Sequence, residues 1–338
     1  ENDEDRALAA EVNAACTTLQ TKFEELSFSE GLEAWMTAVF ACNQYVDDQA
    51  PWGLKKTDEE RMKVVLLNLF KQVRALAIGL IDLGVEPADK IAVIGRNRPA
   101  FYWTMIAAQY VGAIPVPVYQ DSSADEVAYV MEHCGARFAV VDDQEQVDKL
   151  LDVSARTPIL ERIVYVDPRG LRKYDHALLH DFAAVQEKGR TLRAELDPEL
   201  DRRAALAAGG DAAVILYTSG TTGRPKGVVL THDNVLATAK NTCAFDSLSE
   251  HESILAYLPM AWVGDFVFSM AQATWAGFCV NCPENAGTMH KDLQEIGATY
   301  FFAPPRFFEG LLTSIRIRME DASAFKRWLF DGAIERAR

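Results

Sequence analysis

Residues 217–227 read YTSGTTGRPKG, and their types and order suit the holding of phosphate. From Thr218 to Gly227 the chain carries the hydroxyls of Thr218, Ser219, Thr221 and Thr222, the glycines Gly220, Gly223 and Gly227, and the cations Arg224 and Lys226. Glycine lets backbone N–H groups come close to an anion, and the hydroxyls add further donors. Lys226 adds a mobile positive charge, and Pro225 restricts the loop without removing a glycine donor. The P-loop of many ATPases needs a Gly-Lys-Ser/Thr that opens directly into a helix. Here Lys226 is followed by Gly227 and two valines, so this is a nucleotide loop of another kind. An ordinary polar hairpin is the bland alternative, and a stretch this long and ordered argues against it.

Other groupings carry less chemistry. Cys279 and Cys282 form a CxxC, but GFCVNCP reads as a strand, whose side chains alternate between faces, and no second Cys/His pair follows at ligand spacing. A structural role is expected for both. His176 and His180 would share a helix face if their segment were helical, without the HExxH pattern, and are expected on solvated surface. Asp142, Asp143 and Glu145 read as a solvated strand-to-helix turn. Trp262 and Phe266 fall at helical spacing, which fits either an aromatic pocket wall or a core position.

The elements that would position the loop follow from periodicity. AAVILYT forms a strand into it, VVLT a strand out of it, and HDNVLATAK the next helix. From Lys90 onward, short β-branched runs (KIAVIG, AIPVPVY, RFAVVDD, RIVYVD) alternate with amphipathic helical segments, which predicts mainly parallel sheets flanked by helices, an α/β fold. Residues 194–211, AELDPELDRRAALAAGGD, read as a surface connection. From Arg6 to about Leu83 the spacing is helical, broken at Pro51 and Gly53, with Thr57 and Glu60 as a capping box. At 338 residues and 49% apolar content the chain can bury a large core, while a net charge of -15 opposes broad attraction to nucleic acid or anionic lipid. There is no apolar run long enough to span a bilayer, although peripheral membrane contact stays open. Six cysteines in so long a chain fit free thiols in a cytoplasmic protein.

The glycine-rich segment resembles the phosphate signature of the AMP-forming adenylating enzymes, the acyl-CoA synthetase superfamily. LGVEPADKIAVIGRNRPAFYW, GAIPVPVYQDSSADEVAYVMEHCGARFAVVDD, THDNV, AYLPMAW and FAPPRFFE extend the likeness to a long-chain fatty-acyl-CoA ligase over residues 73–338. The resemblance implies that ATP and a fatty acid form acyl-AMP and pyrophosphate, and that coenzyme A then displaces AMP. It makes Thr218 the hydroxyl linked to Mg²⁺ and wraps Ser219, Gly220, Thr221, Thr222 and Gly223 around the β- and γ-phosphates. Lys226 would neutralise charge on pyrophosphate, with Gly227 closing the segment. Such catalysis is mostly positioning and charge stabilisation, and requires no protein nucleophile. In LPMAWVGD, Trp262 replaces the family's usual histidine, which would place it with Phe266 on the acyl pocket. The family's Tyr-Gly-x-Thr-Glu and Thr-Gly-Asp segments and its C-terminal lysine domain are not found in the sequence. The polypeptide is therefore expected not to complete thioester formation alone.

Residues 1–72 resemble a different family. LEAWMTAVFACNQYVDDQAPWGLKK is similar to the helical anticodon-binding domain of bacterial methionyl-tRNA synthetase, which would give Trp52 a base-stacking role with Asn43 and Lys55 nearby. Packing at the helix corner is the alternative role for Trp52. The segment holds 14 acidic against 7 basic residues, which works against a phosphate-dominated tRNA contact. The two likenesses meet within LFKQVRALAIGLIDLG, giving an apparent chimera of a 1–72 helical domain and a 73–338 partial AMP-binding domain. Either a tRNA-binding appendage or an inactive recombined fragment is the alternative reading. The junction would also cost the sheet its first strands and expose an edge.

Overall fold

The computed structural model describes residues 10, 14, 59–154, 156, 158–218 and 224–337. They divide into two compact units, Glu1–Ala298 and Thr299–Arg338.

The first unit is built on a parallel sheet. Helix α1 (Glu59–Asp82) leads into β1 (Lys90–Ile94), α2 (Pro99–Tyr110), β2 (Ile114–Val118), α3 (Ala124–Cys134), β3 (Ala136–Val141), α4 (Gln144–Ser154), β4 (Arg162–Tyr165) and β5 (Leu179–Asp181). The strand order is β2-β1-β3-β4-β5, all parallel. Both faces are covered, and the strand sequences explain why. Ile91 and Val93 join Phe138, Val140 and Val164 in one core with α1, α2 and α5 (Phe182–Thr191). Ala92 and Ile94 point the other way, into a core with Val116, Ala139, Ile163 and the apolar faces of α3 and α4. A strand apolar at every position is what a doubly covered parallel sheet demands. The expected α/β fold is therefore present, with each predicted strand near its place.

Helix α1 is held from several sides. Arg74 donates through Nε to Asp197 at 2.7 Å, through Nη2 to Asp201 at 2.8 Å and through Nη1 to the Tyr110 hydroxyl at 2.9 Å. The side chains of Gln186 and Arg190 donate to the Gln72 carbonyl and amide oxygens at 3.3 and 2.8 Å. α1 and α5 approach so closely that a Cβ on Gly189 would lie 1.8 Å from the Ala75 carbonyl oxygen.

Residues 194–211 correct the expectation of a surface connection: Arg193–Leu206 form helix α6, despite Pro198. Leu200 is fully buried, and Arg203 donates to the Val85 carbonyl at 2.7 Å, to Glu199 at 2.7 Å and to Glu86 at 3.1 Å. Tertiary anchoring of two side chains outweighs a polar composition and an interior proline.

After α6 come an antiparallel hairpin of β6 (Ala212–Thr218) and β7 (Lys226–Thr231), then α7 (His232–Phe245). Thr231 and Asn234 form a reciprocal capping box at the start of α7. A short parallel pair, β8 (Ser253–Leu255) and β9 (Cys279–Asn281), brackets a helical run of α8 (Val263–Asp265), a π-helix (Phe266–Ala271) and α9 (Gln272–Ala276). Helix α10 (Met289–Ile296) closes the unit. The second unit contains α11 (Pro305–Glu320), entered through Pro304 and Pro305, and α12 (Ala324–Ala337). Phe301, Phe307 and Phe308 cluster there with ring centroids 5.2 to 6.4 Å apart. No helix among the described residues is long and apolar enough to cross a membrane.

Candidate active site

The β6–β7 hairpin brings Thr218 and Lys226 together. In its antiparallel register Thr218 stands opposite Lys226 and Tyr217 opposite Gly227. The two residues to which the resemblance gives the roles of metal-linked hydroxyl and phosphate cation are therefore ladder partners at the mouth of the loop, and both are exposed. Ser219, Gly220, Thr221, Thr222 and Gly223 lie outside the described residues. The strand leaving the loop starts at Lys226, two residues before the VVLT expected from sequence. Gly227 is consequently a strand residue whose special need is space. A Cβ there would sit 3.0 Å from Cγ2 of Ile215 and 3.2 Å from Cζ of Tyr217, tighter than ordinary contact.

Helix α3 stands beside this mouth. The Tyr129 hydroxyl donates to the Pro225 carbonyl at 2.9 Å, and the Arg224 guanidinium lies 5.4 Å from the Tyr129 ring centroid. His133 Nδ1 and the Tyr217 hydroxyl share a 2.7 Å hydrogen bond. Burial, then the neighbouring Cys134 thiol, holds the Tyr217 phenol above its ordinary range, so it is protonated at neutral pH. The sequence reading missed Tyr129 and His133; their signal is a pair of polar aromatics four residues apart on one stripe of an amphipathic helix.

A second constellation surrounds Asp265. Its carboxylate is fully buried and accepts from the Tyr102 hydroxyl at 2.8 Å, the Ser269 hydroxyl at 2.9 Å and the Asn97 amide at 3.2 Å. Burial raises its pKa to about 7, and the three donors pull it partly back. Burial likewise pushes the Cys282 thiol up to about 12. Asp265 was also missed, although a lone acid inside WVGDFVF signals a buried polar anchor. Trp262 precedes this helical run and is half-buried, its ring so close to Gly264 that an added Cβ would lie 2.3 Å from Cζ3. Phe266 is 1% exposed, within the main core. Cys279 lies in β9 and Cys282 just beyond it, and neither is in a disulfide.

Two further expectations are corrected. Asp142 is only 1% exposed rather than solvated: Arg96 donates to it at 2.7 Å, and Arg98 lies 3.4 Å from its other oxygen. The ends of β1 and β3 converge there, which pairs the charges and removes the Asp142 carboxylate from water. His180 belongs to β5 rather than to a helix, and it is half-buried with Nε2 lacking a hydrogen-bond partner. Burial, then Arg162, lowers its pKa and keeps it neutral. Among the described residues no group of three or more His, Cys, Asp or Glu side chains is arranged to hold a metal ion. Asn43, Lys55 and Trp52 lie outside the described residues, as does the Thr57 end of the predicted capping box.

Comparison with known proteins places this geometry in a family. The AMP-binding enzyme family profile matches residues 62–334. The rat long-chain-fatty-acid–CoA ligase ACSBG1 is 28% identical over 277 residues, covering 78% of this chain and 37% of its own length. The Drosophila melanogaster long-chain-fatty-acid–CoA ligase heimdall is 28% identical over 296 residues, covering 86% of this chain and 43% of itself. This chain thus spans about two fifths of the length of these relatives. The crystal structure of a long-chain-fatty-acid-CoA ligase from Archaeoglobus fulgidus superposes with a TM-score of 0.60 at 23% identity, over 74% of this chain and 46% of that one, and so shares its fold. By its sequence over most of its length, the chain belongs to the AMP-binding enzyme family.

Proposed function

We propose that this chain supplies the phosphate-binding part of an enzyme that activates a long-chain fatty acid with ATP. The carboxylate attacks the α-phosphorus, acyl-AMP forms and pyrophosphate leaves; the thiol of coenzyme A then attacks the acyl carbon, giving acyl-CoA and AMP. The observation that carries this reading is the pairing of Thr218 with Lys226 across the mouth of the glycine-rich loop. A cation held opposite a hydroxyl, both open to solvent, suits a triphosphate whose leaving group gathers negative charge. Mg²⁺ fits the same arrangement, since one neutral hydroxyl is a partial ligand for an ion that arrives on the phosphates and keeps its waters. When bound, that ion offsets charge on the phosphate oxygens. Lys226 is the group proposed to contact the leaving pyrophosphate, with Thr218 orienting its metal.

Trp262 is proposed to border the acyl chain from the start of the helical run, with Phe266 as its support from the core. The reading further places the enzyme in the cytoplasm, and the division at residue 72 into a helical domain and an AMP-binding domain is likewise proposed. The tRNA reading rests on the likeness of residues 1–72 and on Trp52, Asn43 and Lys55, three residues that lie outside the described ones. The decisive experiment titrates the chain with trinitrophenyl-ATP and Mg²⁺. Binding that weakens at least about tenfold in Lys226→Ala is expected, the order of one lost charge-assisted contact. Equal binding by both proteins would refute the assignment.

A further inference from the structure

Tyr129, His133 and Tyr217 have no part in the chemistry above, yet they occupy both sides of the loop mouth. Tyr129 and His133 are four residues apart on α3 and share one face, their ring centroids 5.4 Å apart. From that face they reach the two sides of the loop mouth. Tyr129 holds the Pro225 carbonyl and carries Arg224 on its ring, immediately before Lys226. His133 holds the Tyr217 hydroxyl, with the two rings edge to face at 5.7 Å, immediately before Thr218. Thr218 and Lys226 are ladder partners, so fixing the residue before each sets the width and orientation of the mouth between them.

The helix is a firm base for such a grip. Ser123 and Glu126 form a reciprocal capping box at its start, and Gly135, at φ 72°, ends it in the left-handed conformation. Val127, Val130 and Met131 bury its opposite stripe in the sheet core. It therefore cannot follow the hairpin without leaving that core.

We propose that α3 clamps the mouth of the hairpin, with Tyr129 positioning Lys226 and His133 positioning Thr218 for the triphosphate. This rests on the phosphate-binding reading and deepens it. It also separates the two cations of the loop: Arg224 is held on the Tyr129 ring, which leaves Lys226 as the one that meets phosphate.

The test uses the full chain, titrated with trinitrophenyl-ATP and competed separately with magnesium pyrophosphate and with AMP. Tyr129→Phe keeps the ring and loses the hydroxyl; His133→Ala loses the Nδ1 partner of the Tyr217 hydroxyl, and His133→Asn returns an amide near that place. Losing one neutral hydrogen bond corresponds to roughly a two- to tenfold change. Tyr129→Phe and His133→Ala should weaken pyrophosphate competition by that factor while leaving AMP competition unchanged. His133→Asn should restore most of the loss. Pyrophosphate competition equal to wild type in the folded variants overturns the clamp, and so does a parallel loss for AMP and pyrophosphate. If one variant fails to fold, the other decides by the same criteria. Lys226→Ala distinguishes the underlying reading: if it binds like wild type, or the wild type binds no probe, the phosphate assignment fails first and the clamp with it.

Discussion

Replacing Asp265 by Asn should remove a pH dependence of stability that the wild-type chain carries between about pH 4 and pH 7. The side chain is fully buried, and burial lifts its carboxyl from 3.8 to about 7 against the pull of Tyr102, Ser269 and Asn97. In the unfolded chain the same carboxyl loses its proton near pH 4. Between those values the folded protein holds a proton that the unfolded one lacks, so stability falls as pH rises and levels off above about pH 7. At about 1.4 kcal/mol per pH unit the gap amounts to roughly 4 kcal/mol once the folded carboxylate is ionised. The amide of Asp265→Asn cannot ionise, and its oxygen can still accept from Tyr102 or Ser269. Urea unfolding of both proteins across this range reads the difference directly, because every other titrating group cancels between them. The variant should gain on the wild type by roughly 3–4 kcal/mol from acid to neutral pH. Two unfolding curves separated by a constant amount throughout would refute the argument that burial governs Asp265.

Other perturbations follow from packing and charge. Gly189→Ala should cost at least about 3 kcal/mol in unfolding free energy, since its Cβ would meet the Ala75 carbonyl oxygen at 1.8 Å and backbone must move. Asp142→Ala should cost about 2–3 kcal/mol in the same assay; Arg96 is 38% exposed and can recover water, which keeps the loss below that of a fully buried pair. Arg137→Ala should cost less than about 1 kcal/mol in thermal unfolding despite its bonds to Asp89 and Glu161, because Arg137 is 36% exposed and Glu161 44%.

Much of this architecture is legible in the sequence because its signals are local. KIAVIG, RFAVVDD and AAVILYT are continuous apolar runs of strand length, and the helices between them carry their own caps, as Ser123 and Glu126 do for α3. The hairpin can be read because a glycine-rich break separates two β-branched runs. What escaped depends on partners far along the chain. Helix α6 looks polar until Arg203 finds the Val85 carbonyl, 118 residues away. Asp142 looks like a solvated turn until β1 delivers Arg96, 46 residues before it. Asp265 needs Asn97 and Tyr102, which lie 168 and 163 residues upstream. The candidate site follows the same rule: Thr218 and Lys226 are proposed from the sequence alone, whereas Tyr129 becomes informative only when Pro225, 96 residues later, is set against it.

The sheet also shows why the candidate chemistry sits on the hairpin. In the strand order β2-β1-β3-β4-β5 the winding switches side between β1 and β3, and the crevice beyond their C-terminal ends is where open parallel sheets commonly take a ligand. Here that crevice receives Arg96 and Arg98 from the end of β1 and Asp142 and Asp143 from the end of β3, joined as ion pairs. Arg169 lies against Asp167 just past β4, adding a further matched pair. Opposite charges already paired offer an incoming phosphate little net field, and displacing Asp142 would strand a buried carboxylate. Lys226, by contrast, is exposed and faces a neutral hydroxyl across the hairpin. On the proposed reading, the parallel sheet is the scaffold that holds α3 steady, and the field for phosphate would be assembled where α3 meets the hairpin.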